Sequence, residues 1–307
     1  MTPALPPGLE QARHRGPGWG DWLDRLPRLR DGVLAGWGLR PDGEAVGGSA
    51  ALVVPVRTAD GDPAVLKLAY DGDEPEMEHE ALALQHWHGD GAVRLLRADP
   101  RRRVLLLERL HARDLGGLDD VEACEVVAGL YRRLHRPAMP QLRTLASYVE
   151  GWLDDLAALG HELPVPRRLV EQALHQGRAL AADPSSSGVV VHGDLHYGNV
   201  LAADREPWLA IDPLPVAGDP HWEPAPLLTD RWDEMAGDLR AGIRRRFHTV
   251  VDVAELDEDR AREWTVVRVV VDASWSALDA HRAGRAPTAH ERDRITRCVA
   301  VAKAVQD

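Results

Sequence analysis

His192-Gly193-Asp194-Leu195-His196-Tyr197-Gly198-Asn199, with Asp212 and Asp219 downstream, is the stretch on which the reading of this chain turns. Val189-Val190-Val191 ahead of it is an unbroken β-branched run after a breaker-rich segment, so the eight residues leave a short buried strand and form a loop. Behind it, Val200-Leu201-Ala202 and Trp208-Leu209-Ala210-Ile211 are strand-like, and the turn-forming Ala203-Asp204-Arg205-Glu206-Pro207 between them predicts a hairpin. Asn199 and Asp212 flank its open ends, and antiparallel pairing is expected to set them opposite each other, roughly 5 Å apart at Cα. One amide oxygen and one carboxylate then face one point. That donor set suits magnesium on a nucleotide, because the ion keeps waters and phosphate oxygens for most of its positions.

The spacing from Asp194 to Asn199 is similar to that of the protein-kinase loop His-Arg-Asp-x-x-x-x-Asn, where the Asp accepts the substrate hydroxyl's proton and the Asn holds metal. The form His-Gly-Asp-Leu-His-Tyr-Gly-Asn, continuing through Leu-Ala-Ala-Asp-Arg-Glu-Pro-Trp-Leu-Ala-Ile-Asp-Pro to Gly218-Asp219-Pro220, resembles the aminoglycoside phosphotransferases, in their streptomycin and hydroxyurea kinase branch. The resemblance runs from about Ala45 through Glu234. It implies an α+β chain of two-lobed, protein-kinase-like fold, with a small antiparallel-sheet N-lobe and a mainly helical C-lobe. It also implies ATP with magnesium, and O-phosphorylation of a small antibiotic's hydroxyl.

On that basis residues 1–107 are expected to form the nucleotide-binding lobe with its N-terminal helix, 108–112 a hinge, and 113–307 the catalytic and substrate lobe. Asp194 is expected to orient the acceptor hydroxyl and take its proton. Asn199 and Asp212 are the expected magnesium ligands. Lys67 is expected to neutralise nucleotide phosphates, with Glu80 holding it in place; Glu76 and Glu78 are alternatives to Glu80. Backbone groups around Glu108 and Leu110 are assigned to adenine by resemblance only.

Composition supports the exceptional standing of these residues. Among 307 residues Asn199 is the only asparagine, and Lys67 and Lys303 are the only lysines, in a chain otherwise rich in arginine. The formal charge of -12 argues against nucleic acid and favours a cationic small molecule as partner. Two cysteines, Cys124 and Cys298, build no disulfide framework and lie in no Cys-x-x-Cys motif. No apolar run approaches the roughly 20 residues needed to span a bilayer, and the N-terminal residues lack a basic region followed by an apolar core. A soluble protein of the cytoplasm is expected.

Along the chain, Trp19, Trp22, Leu23, Leu26, Leu29, Val33, Leu34 and Trp37 recur at helical spacing, with the tryptophans read as core. Val46-Gly47-Gly48-Ser49-Ala50 leads into strands over 51–58 and 64–69 with a turn at Asp60-Gly61; the two glycines and the serine are weak candidates for phosphate contact. A helix follows to Trp87, then strands over 93–96 and 104–107, completing a sheet of about five. Helical patterns occupy 121–135, 145–159, 167–182, 226–235, 239–253, 259–281 and 288–305. Val266 to Val271 reads as a strand when taken alone, but its flanks favour a buried helix.

Two rival chemistries are weighed. In an extended segment His192, Asp194 and His196 point to one face, as zinc-hydrolase ligands do; Lys67 and Asn199 are then unexplained. A pseudokinase is disfavoured because Lys67, Asp194, Asn199 and Asp212 are all present. A Walker-type site is excluded, since neither lysine follows a glycine. Asp219, Trp222 and Glu223 are the expected substrate contacts, as acids and aromatics suit a cationic, hydroxylated ligand; a merely solvated acidic face is equally weighted.

Overall fold

A computed structural model describes residues 5–48, 50–72, 79–159, 163–282 and 284–306. The chain divides into two compact units, residues 1–111 with 203–205, and residues 112–202 with 206–307.

The first unit opens with α1 (Pro7–Glu10) and α2 (Pro17–Trp37), the latter ended by Gly38 in the left-handed region. Its sheet contains β1 (Arg40–Pro41), β2 (Val46–Gly47), β3 (Ala51–Arg57), β4 (Pro63–Ala69), β5 (Leu95–Asp99) and β6 (Val104–Glu108), with α3 (Glu80–Trp87) between β4 and β5. Strand order is β1-β3-β4-β6-β5, all antiparallel, with β2 also on β3. The two-residue strands β1 and β2, too short to leave a sequence pattern, add to the four strands located in the sequence and make six among the described residues, against the expected five or so. Alternation decides the faces: Leu52, Val54, Val56, Leu66 and Leu68 join Trp19, Trp22, Leu23 and Leu26 of α2 in one core. Lys67, paired across to Val53 and Leu105, stands on the other face of the central strand.

The second unit is built from α4 (Asp120–Leu134), α5 (Leu145–Leu159), α6 (Arg167–Ala181), α7 (Ala225–Thr229), α8 (Leu239–Ala254), α9 (Glu258–Arg282) and α10 (Ala289–Ala304). Asp119, Asp238 and Thr288 cap α4, α8 and α10; Thr288 and Glu291 form a capping box. The valines at 266, 267, 269, 270 and 271 are all buried in α9, because a helix surrounded by other helices is apolar over most of its circumference. Short strands β7 (Val189–Val191) and β10 (Val216–Gly218) pair antiparallel, and β8 (Val200–Ala202) pairs with β9 (Trp208–Ala210) as the expected hairpin. Among the described residues no helix is long and apolar enough to cross a membrane.

The expected helix over 226–235 is broken. α7 ends at Thr229, Asp230 is extended, Arg231 has φ of 43°, and a 3-10 turn covers Trp232–Met235. The cause is tertiary: the buried Arg246 guanidinium donates to the carbonyls of Leu227, Asp230 and Arg231, which holds this stretch open.

Candidate active site

In the first unit, Lys67 and Glu80 form a buried ion pair, Nζ lying 2.7 Å from Oε1 and 2.6 Å from Oε2. Glu80 occupies the first turn of α3, where the helix dipole favours a carboxylate. Glu76 and Glu78 lie outside the described residues, as does Ser49. The Gly48 N–H donates to Ala51 O at 2.8 Å and is thereby committed to its own turn. At the end of β6 the Glu108 N–H donates to Arg94 O, and its carboxylate takes Arg205 Nε and Nη2 at 2.6–3.1 Å, so its side chain is a strut. Arg109 is tied to Val56 O, Ala64 O and Asp42. The Leu110 N–H has no hydrogen bond among the described residues.

In the second unit, β7 delivers the chain to His192, and the left-handed φ of 84° at Gly193 turns it out of the strand. A Cβ there would stand 2.2 Å from Leu214 O, so this turn admits glycine alone. The bend removes the alternation that the zinc reading needs. His192 is fully buried with both ring nitrogens engaged: Nδ1 accepts from Asp194 N–H at 3.3 Å, and Nε2 donates to Ile211 O at 3.0 Å. Burial pushes the imidazole down to about 4, which keeps it neutral and in that tautomer. It orders the loop and has no lone pair for a metal.

Asp194 is left with a side chain 40% exposed. Desolvation raises its pKa, as do the charges of Asp212 and Glu223, against the lowering pull of His196 and Arg268. After His196 a 3-10 turn over Tyr197–Asn199 brings the asparagine back, and its Nδ2 donates to Asp194 O at 2.8 Å. Its Oδ1 therefore faces away from that bond.

The hairpin register differs by one residue from expectation. Val200 opposes Ala210 and Ile211 N–H donates to Asn199 O, so Asn199 lies opposite Ile211 rather than Asp212. A strict pleat would then turn Asp212 to the other face. Its φ of 58° breaks the pleat, and its charge is felt at Asp194, His192 and His196. An amide oxygen and a carboxylate beside Asp194 are hard donors that fit magnesium.

His196 sits among carboxylates, its Nδ1 3.2 Å from Asp230 Oδ2 and its Nε2 4.0 Å from Asp194 Oδ2. Burial pulls its pKa down, but the bond to Asp230 and the charges of Asp194, Asp230 and Asp212 outweigh this and raise it. The same Nδ1 is 3.2 Å from Gly198 N, a bond open only to the neutral ring. A proton on Nδ1 donates to Asp230 and forgoes the Gly198 N–H.

The three expected substrate residues lie in the interior instead. Asp219, 1% exposed, accepts from His221, Arg260, Trp264 and Ser186. Burial alone raises its pKa; the bonds from His221, Arg260 and Trp264 outweigh that and hold it below the carboxylate range. Glu223 is fully buried and accepts from the N–H groups of His192 at 2.5 Å and Gly193 at 3.2 Å. Trp222 stacks on Trp152 and meets Trp264 edge-on inside the core. Acids followed by aromatics are ambiguous in a sequence, and here donors claimed both carboxylate oxygens of Asp219 and of Glu223. Sequence reasoning passed over Arg268, whose Nη2 donates to Gly193 O at 2.5 Å and Nη1 to Trp222 O at 3.1 Å. The signal was one guanidinium inside Val266-Val267-Arg268-Val269-Val270-Val271, a charge that burial permits only with partners.

An aspartate presented on a loop clamped from both sides, with an amide folded onto its backbone and a second carboxylate nearby, is the arrangement expected of a phosphotransferase of protein-kinase-like fold. A choline/ethanolamine kinase family protein from Mesorhizobium loti shares that fold, with a TM-score of 0.61 at 18% identity, covering 90% of each chain. The family model described as aminoglycoside/hydroxyurea antibiotic resistance kinase matches residues 36–280, past the point where the motif resemblance thins. Streptomycin 6-kinase of Streptomyces glaucescens is 42% identical over 267 residues, 84% of this chain and 85% of that protein. Hydroxyurea phosphotransferase of Kitasatospora aureofaciens is 41% identical over 277 residues, 88% of this chain and 78% of that protein. The chain belongs to the aminoglycoside/hydroxyurea antibiotic resistance kinase family and is a kinase of small-molecule hydroxyl groups.

Proposed function

We propose that this kinase transfers the γ-phosphoryl group of magnesium-ATP to a hydroxyl of streptomycin, inactivating the antibiotic in the cytoplasm. The observation that carries the reading is the Asp194–Asn199 arrangement on a loop whose backbone is fixed by Glu223 and Arg268. Asp194 orients the acceptor hydroxyl and receives its proton as the oxygen attacks phosphorus. Its raised pKa suits a group that must hold that proton briefly. Asn199 Oδ1 and the Asp212 carboxylate would hold magnesium. When bound, the metal neutralises phosphate charge and orients the transferring group. Lys67, braced by Glu80, bears on the nucleotide phosphates, and the Glu108 carbonyl and Leu110 N–H serve adenine.

Streptomycin is preferred because the relatives at 39–42% identity include two streptomycin 6-kinases. Hydroxyurea is the second reading, favoured by the relative at 41%. The test is ATP consumption by the purified enzyme against streptomycin, other aminoglycosides, hydroxyurea and viomycin, with product mass recorded. Streptomycin gaining one phosphate is expected; turnover of hydroxyurea alone selects the second reading, and no turnover of any acceptor removes both.

A further inference from the structure

Arg268, Asp272 and Trp275 follow one another on α9 at i, i+4 and i+7, and so share one face of that helix. The bonds from Arg268 to Gly193 O and Trp222 O lay this face against the loop that carries Asp194. Trp275 meets Trp152 edge-on at 5.1 Å between centroids, and Trp152 stacks on Tyr148 at 5.5 Å; all three rings are partly buried.

Asp272 stands on that face between the guanidinium that holds the loop and the aromatic ladder. It is half-buried, and among the described residues no donor or cation lies within hydrogen-bond or ion-pair distance of it. Desolvation raises its pKa, Arg268 and Arg294 oppose this without pairing, and the Asp194 charge adds to the rise. A carboxylate so placed is stabilised by a cation brought to it. Trp275 beside it, braced edge-on by a Trp152 that is itself stacked on Tyr148 and Trp222, favours a planar, delocalised cation over a compact ammonium. Asp219 and Glu223 have no such vacancy, because their oxygens already accept from buried donors.

Resting on the phosphoryl transfer proposed above, we infer that Asp272, with Trp275 braced by Trp152, forms the subsite for a guanidinium group on the acceptor, which sets a neighbouring ring hydroxyl before Asp194. Streptomycin carries guanidinium groups on a hydroxylated ring; hydroxyurea carries no charge and gains nothing from such a subsite.

Equilibrium binding separates this inference from the reaction assignment. Streptomycin, and a neutral analogue with urea groups in place of the guanidinium groups, are titrated into the wild type, Asp272→Asn and Asp272→Glu, with ATP titration as the check on folding. Asp272→Asn is expected to weaken streptomycin about tenfold or more while moving the analogue less than about twofold. Asp272→Glu, which keeps the charge, is expected to recover most of the loss. Absence of streptomycin binding by the wild type, an equal penalty on both ligands, or no penalty on either overturns the subsite. Asp272-dependent binding of streptomycin without its phosphorylation supports the subsite and overturns the reaction assignment instead.

Discussion

Asp194 and His196 show how one side chain sets the working state of another. Replacing Asp194 with Asn removes the proton acceptor but keeps the size and polarity of the side chain. We expect kcat to fall by about 10²–10⁴-fold with magnesium-ATP affinity nearly unchanged, as measured by turnover and nucleotide titration. Turnover at the wild-type level would remove Asp194 from its role. When charged, the His196 ring 4.0 Å away lowers the Asp194 pKa against desolvation, and with Asp194 in its proposed role that charge would extend activity toward acid. For His196→Asn the acidic limb of the kcat/KM profile is therefore expected to move to higher pH, because Asp194 must be ionised to act and loses its nearest cation. A limb that stays in place, or moves to lower pH, would contradict the pairing.

At the scale of elements, the loop is positioned by two groups distant in sequence, Glu223 on its N–H groups and Arg268 of α9 on the Gly193 carbonyl. Arg268→Met keeps much of the stem that lies over Trp222 and deletes the donors. The expected result is a drop in kcat of about 10²-fold from a misplaced nucleophile-orienting aspartate, with the circular dichroism spectrum retained. Wild-type kcat in this variant would mean that Glu223 alone fixes the loop. The break after α7 belongs to the same scale: Arg246 satisfies three carbonyls there, and the freed Asp230 side chain turns to His196.

For the whole molecule, buried titratable groups translate into a stability maximum. His192, fully buried and pushed down to about 4, takes up its proton only in the unfolded chain between about pH 6.5 and 4. Stability is expected to fall across that window by up to about 3 kcal/mol. Asp219, held below the carboxylate range, contributes in full above about pH 3.9 and loses its contribution as the pH falls from there through its folded value. His196 has the opposite sign: its raised pKa gives stability that is complete below about pH 6.5 and lost as the pH rises through the folded value. Denaturant midpoints measured from pH 8 to pH 4.5 are expected to peak near about pH 6.5. A midpoint that stays flat down to pH 4.5 would show that His192 can be protonated in place.

Periodicity and turn chemistry are local properties, and they sufficed to mark the helices over 145–159, 239–253 and 259–281, the β8–β9 hairpin and the loop between β7 and β8. Residue scarcity singled out Lys67 and Asn199, of which the first lies in a buried ion pair with Glu80 and the second folds onto the Asp194 carbonyl. What composition left open was which acid goes inside and which stays out. Asp219, Glu223 and Asp272 are alike as letters. Only the packed structure brings Arg260, Trp264 and backbone N–H groups to the first two, while leaving the third half-buried with no such donor among the described residues. The one-residue register of the hairpin was likewise settled by how the turn over 203–207 closes, because a two-residue period carries no record of which residue stands opposite which.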